Sequence, residues 1–276
     1  MIGQAKRLEQ LNRIKRISKK KNSRSKIIAI TSGKGGTGKT FISLNIAYSM
    51  TRNNKKILLV DLDANLSNLN IMLNITSERN LYHYFKGESS LSSLVYQYDN
   101  NLHFLFGDSG RTDHPQLIES KINSLFDSLW QLSSEYDYIL LDTAAGAGED
   151  VIGVLKHADV RVVVTTPEPT AVMDAYAILK LLSNKRIKDN KYLLINKSAN
   201  LMEGKSTFDN LSKAVKHFLK EDLSFIGVVE HDSKVTTSVQ KQKLFVLENP
   251  NRRITTQLIR ISRRFEEIGQ MVNNNH

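Results

Sequence analysis

The most constraining feature of this sequence is a glycine-rich stretch, GKGGTGKT at 33–40, which directly follows an apolar run of strand length. Gly33, Gly38, Lys39 and Thr40 have the spacing of a P-loop, in which a strand leads through a glycine-rich turn into a helix. The glycines are needed because the backbone curls around a phosphate with its N–H groups inward, in conformations that a Cβ would forbid. The pattern therefore predicts a strand–loop–helix unit that binds the phosphates of a nucleotide.

The other residues of the loop fit the same chemistry. Lys39 would place positive charge at the β- and γ-phosphates, and Thr40 offers a hydroxyl to Mg²⁺. The helix that begins there presents the positive end of its dipole to the anion. The residues expected to contact the nucleotide in this stretch are Gly33, Lys34, Gly35, Gly36, Thr37, Gly38, Lys39, Thr40 and Phe41.

Apolar runs of strand length alternate with amphipathic helical patterns over most of the chain. Strands without polar alternation are typical of a parallel sheet that helices cover on both faces. The sequence therefore predicts an α/β P-loop NTPase fold with a mostly parallel sheet over residues 26–250, a basic segment at 1–25 and a helix at 251–276. The predicted strands are IIAI at 27–30, ILLV at 57–60, FLF at 104–106, YILL at 138–141, VRVVV at 160–164, YLLI at 192–195 and FIGVV at 225–229.

Acidic residues end two of these runs. Asp61 and Asp63 follow ILLV, and Asp142 follows YILL. Ligands of open α/β sheets gather at the carboxyl ends of the strands, so these acids are expected beside the P-loop. A lone aspartate at a strand end is more often a helix cap, but Mg²⁺ bound with phosphates usually takes one or two carboxylates. Three such acids in a chain with a P-loop indicate a metal and nucleotide site.

Charge and cysteine content restrict the partners and the cellular setting. The formal net charge is +11, yet the first 26 residues hold ten Lys or Arg against the single Glu9, so the rest of the chain is close to neutral. A basic tail on a neutral fold indicates a docking or membrane-surface segment.

The absence of cysteine excludes disulfides, thiolate metal sites and a cysteine nucleophile. No apolar run is long enough to span a bilayer or to form a signal peptide, and we expect a cytoplasmic protein.

A second lysine in the loop, Lys34, makes KGGTGKT similar to the deviant Walker A motif of the MinD/ParA ATPases. The resemblance implies that Lys34 reaches across a nucleotide-sandwich homodimer to the partner's phosphates, so that ATP drives dimerisation and hydrolysis undoes it. The string DLDANLSNLN at 61–70 resembles the second motif of the family. By that resemblance Asp61 assists Mg²⁺ and Asp63 positions the attacking water, although the family usually has Gly where this chain has Asn65.

Three further strings extend the resemblance. ILLDTAAG resembles the Walker B strand, which implies that Asp142 binds the Mg²⁺ shell through water. TTPEPTAVMDAY at 165–176 and the end of LLIN also match, which implies that Pro167, Glu168 and Asn196 frame the adenine and ribose. The resemblance thus implies a Mg²⁺-dependent ATPase with Lys34, Lys39 and Asp63 as catalytic residues and Thr40, Asp61 and Asp142 as the metal set.

The N-terminus resembles one branch of this family. GQAKRLEQL is similar to the DQAxxLR signature that opens the FlhG proteins (also FleN or YlxH), MinD-like regulators of flagellar number and placement. In that branch the short N-terminal helix binds the GTPase FlhF and stimulates it. Gln4, Ala5 and Leu8 match, whereas Gly3 replaces the Asp and Glu9 stands where Arg is expected. The resemblance implies a partner-binding helix, and a solvated basic tail is the alternative.

Apolar and basic residues recur together near the C-terminus. A basic amphipathic helix can lie in an anionic membrane surface, and MinD and FlhG proteins end in reversible membrane-targeting helices. The same pattern suits a last helix packed on the sheet, and both alternatives stay open; the first would make the protein reversibly peripheral to the inner face of the cell membrane. The apolar residues are Ile254, Leu258, Ile261, Phe265, Ile268 and Val272, and the basic ones are Arg252, Arg253, Arg260, Arg263 and Arg264.

The preferred interpretation is an ATPase switch that controls flagellar number or placement through an FlhF-like GTPase, with a flagellar switch or transcription regulator as a further partner. A ParA-type or MinD-type ATPase that positions DNA or the division site is the alternative. DNA is less favoured, because ParA proteins bind it through basic patches and this core is nearly neutral. A nucleotide-binding scaffold with negligible hydrolysis is a third interpretation. Metal-cluster carriers of the superfamily usually need paired cysteines, which this chain lacks.

Overall fold

The computed structural model describes residues 24–63, 67–108, 116–187 and 189–274. Gln4, Ala5, Leu8 and Asn65 lie outside the described residues, as does the side chain of Val272. The strands are β1 (Lys26–Ser32), β2 (Ile57–Leu62), β3 (Tyr96–Gln97), β4 (Leu102–Leu105), β5 (Tyr138–Ala145), β6 (Val160–Thr165), β7 (Lys191–Ser198) and β8 (Ser224–Glu230). The α-helices are α1 (Lys39–Thr51), α2 (Leu69–Met72), α3 (Leu81–Phe85), α4 (Glu119–Leu132), α5 (Glu149–His157), α6 (Pro169–Asn184), α7 (Leu201–Leu219), α8 (Ser233–Gln240), α9 (Phe245–Glu248) and α10 (Arg253–Asn274).

The strands form one eight-stranded sheet in the order β3-β4-β2-β5-β1-β6-β7-β8. All pairings are parallel except that of β3 with β4. The mostly parallel fold predicted from the sequence is confirmed, and each of the seven predicted runs contributes a strand. The prediction missed β3, whose two exposed residues are too few to show a pattern. Phe106, predicted in a strand, follows the end of β4.

Two apolar layers cover the sheet, one on each face. Alternate residues of β1 enter different layers: Ile27 and Ala29 pack with α4 to α7, and Ile28 and Ile30 pack with α1, α9 and α10. All seven residues of β1 are buried, because both faces of this central strand are covered. This burial explains why the sequence shows continuous apolar runs.

The predicted C-terminal helix is present as α10, and its apolar face is buried. Leu258, Ile261 and Phe265 are each at most 2% exposed. Glycines allow this close approach: a Cβ on Gly269 would lie 2.4 Å from the ring of Tyr138. Of the two alternatives for this segment, the packed one is the conformation in the structure.

Three arginines in and just before α10 bond to β8 and to the residues that follow it. The guanidinium of Arg252 donates to both carboxylate oxygens of Asp232 at 2.9 and 2.6 Å. Arg253 pairs with Glu230 at 3.0 Å, and Arg264 donates to a backbone carbonyl of β8 at 2.7 Å. These cations are therefore engaged within the fold. Over the part of the chain that the structure describes, no helix combines the length and apolar character needed to cross a membrane.

Candidate nucleotide site

The P-loop joins β1 to α1 at the middle of the sheet, because β1 lies between β5 and β6. Gly36 and Gly38 adopt left-handed backbone with φ of 76° and 90°, which residues with a Cβ seldom adopt. Gly33 is needed for space, since a Cβ there would lie 2.4 Å from the backbone of Asp174. Backbone angle or lack of space thus explains why Gly33, Gly36 and Gly38 are glycines.

Two side chains at the end of β7 donate to backbone carbonyls of the loop. The Asn196 amide donates to the Thr37 carbonyl at 2.7 Å, and the Lys197 ammonium donates to the Gly36 carbonyl at 2.7 Å. A Cβ on Gly38 would lie 2.4 Å from the Asn196 amide nitrogen. Asn196, expected to frame the adenine and ribose, is thus a contact of the P-loop backbone in this structure. Lys197 was not predicted; a lysine directly after a strand-end asparagine is the only sequence signal for it.

The predicted carboxylates meet beside the loop. Asp61 and Asp142 are register partners on neighbouring strands β2 and β5, and each is 1% exposed. The Ser43 hydroxyl donates to Asp142 Oδ1 at 3.1 Å, and the Thr40 side chain lies close enough to lower the pKa of the Asp142 carboxyl. The other oxygen, Oδ2, is buried without a hydrogen-bond partner among the described residues. An uncompensated carboxylate oxygen next to a threonine hydroxyl is a donor set that suits Mg²⁺.

The electrostatics of this pair also favour a cation. Burial raises the pKa of the Asp142 carboxyl, and the nearby Lys39 ammonium opposes that rise. Burial, followed by the charge of Asp142, raises the pKa of Asp61 to about 7. A divalent cation bound here would offset the cost of two buried negative charges.

Asp61 also organises the segment that follows β2. Its Oδ1 accepts the Asp63 N–H at 3.0 Å, and its Oδ2 accepts the Ser67 hydroxyl at 2.8 Å and the Leu69 N–H at 3.2 Å. Asp63 is half-buried, and its charge contributes to the raised pKa of Asp142. The two acids of the DLD string therefore lie in the same site, with Asp61 as a structural anchor and Asp63 half-buried near Asp142.

Lys34 is bonded within its own chain. Its ammonium lies 3.1 Å from Glu168 Oε2 and 3.1 Å from the Thr170 hydroxyl, and the side chain is 43% exposed. Glu168, expected at the adenine, is thus an ion-pair partner in the structure, and Pro167 is half-buried just before it. This arrangement places the cation at the open edge of the P-loop.

Phe41 contributes to the core with its side chain. Its ring is 8% exposed and packs edge-on against Phe245, with the centroids 5.6 Å apart. Only its backbone could face a nucleotide, so its predicted contact is limited to the main-chain N–H.

Comparison with known proteins decides the family. The model of a family described as "AAA domain" matches residues 25–195. The "Flagellum site-determining protein YlxH" of Helicobacter pylori is 34% identical over 254 residues, which are 91% of this chain and 86% of the relative. The chain belongs to the MinD/ParA family of P-loop ATPases.

A second relative agrees with this membership of the MinD/ParA family, and a solved structure shares the fold. The "Antiactivator FleN" of Pseudomonas aeruginosa is 31% identical over 79% of this chain and 78% of its own length. The MinD of Pyrococcus horikoshii, whose structure is a complex with Mg-ADP, superposes with a TM-score of 0.76 at 20% identity, covering 90% of this chain and 98% of that one. As a MinD/ParA ATPase the chain is an ATP hydrolase, which confirms the activity predicted from the sequence.

Proposed function

We propose that this MinD/ParA ATPase is a molecular switch that regulates the number or placement of flagella. The observation that carries the proposal is the similarity to a flagellum site-determining protein over 91% of the chain at 34% identity. The N-terminal GQAKRLEQL string, similar to the start of the FlhG branch, supports it independently.

The two states of the switch would be the protein with bound ATP and the protein after ATP hydrolysis. Thr40 and Asp142 would hold Mg²⁺, which when bound neutralises charge on the β- and γ-phosphates. Lys39, buried beside Asp142, adds a fixed positive charge. Asp63, which is half-buried near Asp142, would orient the attacking water. Hydrolysis then depends on positioning and electrostatics, with little covalent chemistry by the protein.

Dimerisation would complete the site through Lys34. In the single chain its ammonium is held by Glu168 and Thr170. Both members of this ion pair are substantially exposed, so the pair contributes only about 0–1 kcal/mol. A triphosphate on a second copy, with several negative charges, would compete successfully for Lys34. Binding of ATP would thereby favour the homodimer.

The switch would act by binding a GTPase partner and by associating with a membrane surface. Gln4, Ala5 and Leu8 would bind an FlhF-like GTPase and stimulate it; a flagellar switch protein or a transcription regulator would be a further partner. Membrane association, which would place the protein reversibly at the inner face of the cell membrane, would use the end of α10. Met271 is 62% exposed there, whereas the preceding apolar residues of the helix are buried.

A positioning ATPase for the division site or for DNA is the second candidate. It is favoured by similarity to septum site-determining proteins, such as the MinD of Bacillus subtilis at 29% identity over 82% of this chain. Deletion of the gene in its own organism separates the two. We expect an altered number or position of flagella with normally placed septa, restored by the parent gene and not by Lys39→Ala. Misplaced septa with normal flagella would instead establish the second candidate.

The partner and the surface are tested with purified protein. Peptide 1–20 should accelerate GTP hydrolysis by the FlhF-like GTPase, and no acceleration would refute that partner. ATP-loaded protein should co-sediment with anionic liposomes, and truncation after Gln270, which keeps the buried part of α10, should abolish sedimentation. Steeply salt-dependent DNA binding by a chain lacking residues 1–26 would favour DNA positioning.

A further inference from the structure

We infer that Lys197 is a positioning residue of the ATP site, which orients the phosphate-binding amides of the P-loop from outside the loop. The inference rests on the ATP-binding P-loop alone and is independent of the flagellar role proposed above. Its starting point is the pair of side chains that donate to two successive P-loop carbonyls.

The geometry of the peptide group connects these carbonyls to the nucleotide. None of the described peptide bonds is cis, and in a trans peptide the C=O and the next N–H point in opposite directions. When Lys197 holds the Gly36 carbonyl outward, the N–H of Thr37 is turned to the inner side of the loop. Asn196 acts in the same way on the Thr37 carbonyl, and so turns the N–H of Gly38 inward. Two consecutive amides are thus oriented toward the phosphates.

The backbone of β7 is distorted where these two residues lie. The pairing of β7 with β8 is irregular between Ile195 and Ser198, and Lys197 has a φ of 56°. Successive side chains of a regular strand point to opposite faces, but a bulge re-aims them. Here Asn196 and Lys197 both reach the loop. A non-glycine residue in left-handed backbone is unfavourable, and such conformations cluster at functional sites.

The three lysines of the site therefore have separate positions. Lys39 lies beside Asp142, and Lys34 is paired with Glu168. Lys197 contacts a main-chain carbonyl of the loop by a charge-assisted hydrogen bond, which is stronger than a neutral one. Its loss would release the Gly36–Thr37 peptide to rotate and would weaken the cradle for every phosphorylated form of the nucleotide.

Lys197→Met tests this role, because it keeps the aliphatic stem and removes the donor. We expect the affinities for ATP and ADP to fall about tenfold, the effect of losing one hydrogen bond to a charged group. KM for ATP should rise by a similar factor while kcat changes less, since an amide that binds phosphate acts in the ground state as well as in the transition state. Lys197→Arg should restore most of the affinity. Lys205→Met, the same change at an exposed lysine of α7, should leave binding unchanged.

The nucleotide-free protein distinguishes positioning from direct contact. Amide chemical shifts of Thr37 and Gly38 should move in Lys197→Met before any nucleotide is added, with the thermal midpoint close to that of the parent. Unchanged affinity in Lys197→Met would overturn the inference. So would a loss of affinity with unmoved Thr37 and Gly38 resonances, which would indicate a direct contact with nucleotide, or a loss of stability that Lys197→Arg does not restore, which would indicate a general structural role.

Discussion

At the scale of single residues, some charged groups of the site are buried and fixed, and others form exposed ion pairs that exchange partners easily. Asp142 is buried and keeps one carboxylate oxygen without a described partner, so a bound cation would satisfy that oxygen. Lys34 and Glu168 form an exposed pair that solvent and salt weaken. Buried Asp142 would therefore lie beside the bound nucleotide. The exposed Lys34–Glu168 pair would face a second copy of the chain.

Removal of Glu168 should favour the dimer. In Glu168→Gln the ammonium of Lys34 loses its ion-pair partner and keeps only Thr170. Because two exposed pairs are broken when one dimer forms, and each contributes about 0–1 kcal/mol, we expect the ATP-dependent dimerisation constant to rise up to about thirtyfold. Sedimentation equilibrium with ATP measures it, with Glu88→Gln as the matched control at another exposed acid. Weaker dimerisation in Glu168→Gln would contradict the competition between Glu168 and the phosphates.

Asp63 should affect turnover more than binding. Its replacement by Ala removes the group that would orient the attacking water, a loss of about 10²-fold or more in kcat, and leaves the contacts of Lys39 and Asp142 intact. Phosphate release under saturating ATP measures the rate, and ATP affinity is measured separately. Asp209→Ala on the exposed side of α7 serves as control. Equal rates for parent and Asp63→Ala would exclude Asp63 as the water-positioning residue.

At the scale of elements, α10 completes the apolar layer beneath α1 and β8. Its buried residues share a core with Phe41 and with the strand residues Ile28 and Ile30. Because Phe41 and α1 follow the P-loop directly, the C-terminal helix supports the element that carries Lys39 and Thr40. Release of the whole helix to a membrane would expose this layer.

Two truncations on α10 test its place in the core. Leu258 is fully buried and Met271 is 62% exposed. We expect Leu258→Ala to lower the free energy of unfolding by about 2–5 kcal/mol and Met271→Ala to change it by about 0.5 kcal/mol or less. Urea denaturation of both variants gives the comparison. Equal, small effects would mean that α10 is detached from the sheet in solution.

At the scale of the whole molecule, the P-loop and residues 24 and 25 lie at opposite ends of β1. The P-loop follows the carboxyl end of β1, and residues 24 and 25 lie before its amino end, where the Ser25 hydroxyl donates to the Tyr136 carbonyl at 2.6 Å. Arg24 stacks there over the ring of Trp130 at 4.5 Å. With about 3.3 Å per residue, the two ends of β1 are roughly 20 Å apart.

Binding at the metal site can be measured through the thermal midpoint of the protein, because a ligand that binds only the folded state stabilises it. Mg-ADP binds the folded protein and should raise its thermal midpoint in a concentration-dependent way, and excess EDTA should remove the part that depends on Mg²⁺. In Asp142→Asn that Mg²⁺-dependent part should disappear, because an amide replaces the unpartnered carboxylate oxygen. Asp137→Asn at the opposite end of the sheet is the matched control. A full Mg²⁺ effect in Asp142→Asn would show that the metal is held elsewhere.

Local patterns in the sequence were sufficient for the fold and for the centre of the site. The glycines require particular backbone angles, apolar runs require burial on both faces, and carboxylates at strand ends must share the edge of a parallel sheet. For these reasons the P-loop, the seven main strands and the meeting of Asp61 with Asp142 followed from the chain itself. These features depend on residues close in sequence or on a rule common to all such sheets.

Only the tertiary structure decided which groups meet across long separations in the chain. Asn196 and Lys197 contact carbonyls of the P-loop from about 160 positions away, and the bulge that aims them depends on the pairing of β7 with β8. The pattern of α10 likewise shows that one face is apolar but not what covers it. An amphipathic pattern shows that one face of a helix must be buried. It does not show which surface covers that face, because the hydrophobic effect has no preferred direction. The shapes of the assembled layers, with Gly227 and Gly269 admitting the helix, determined that partner.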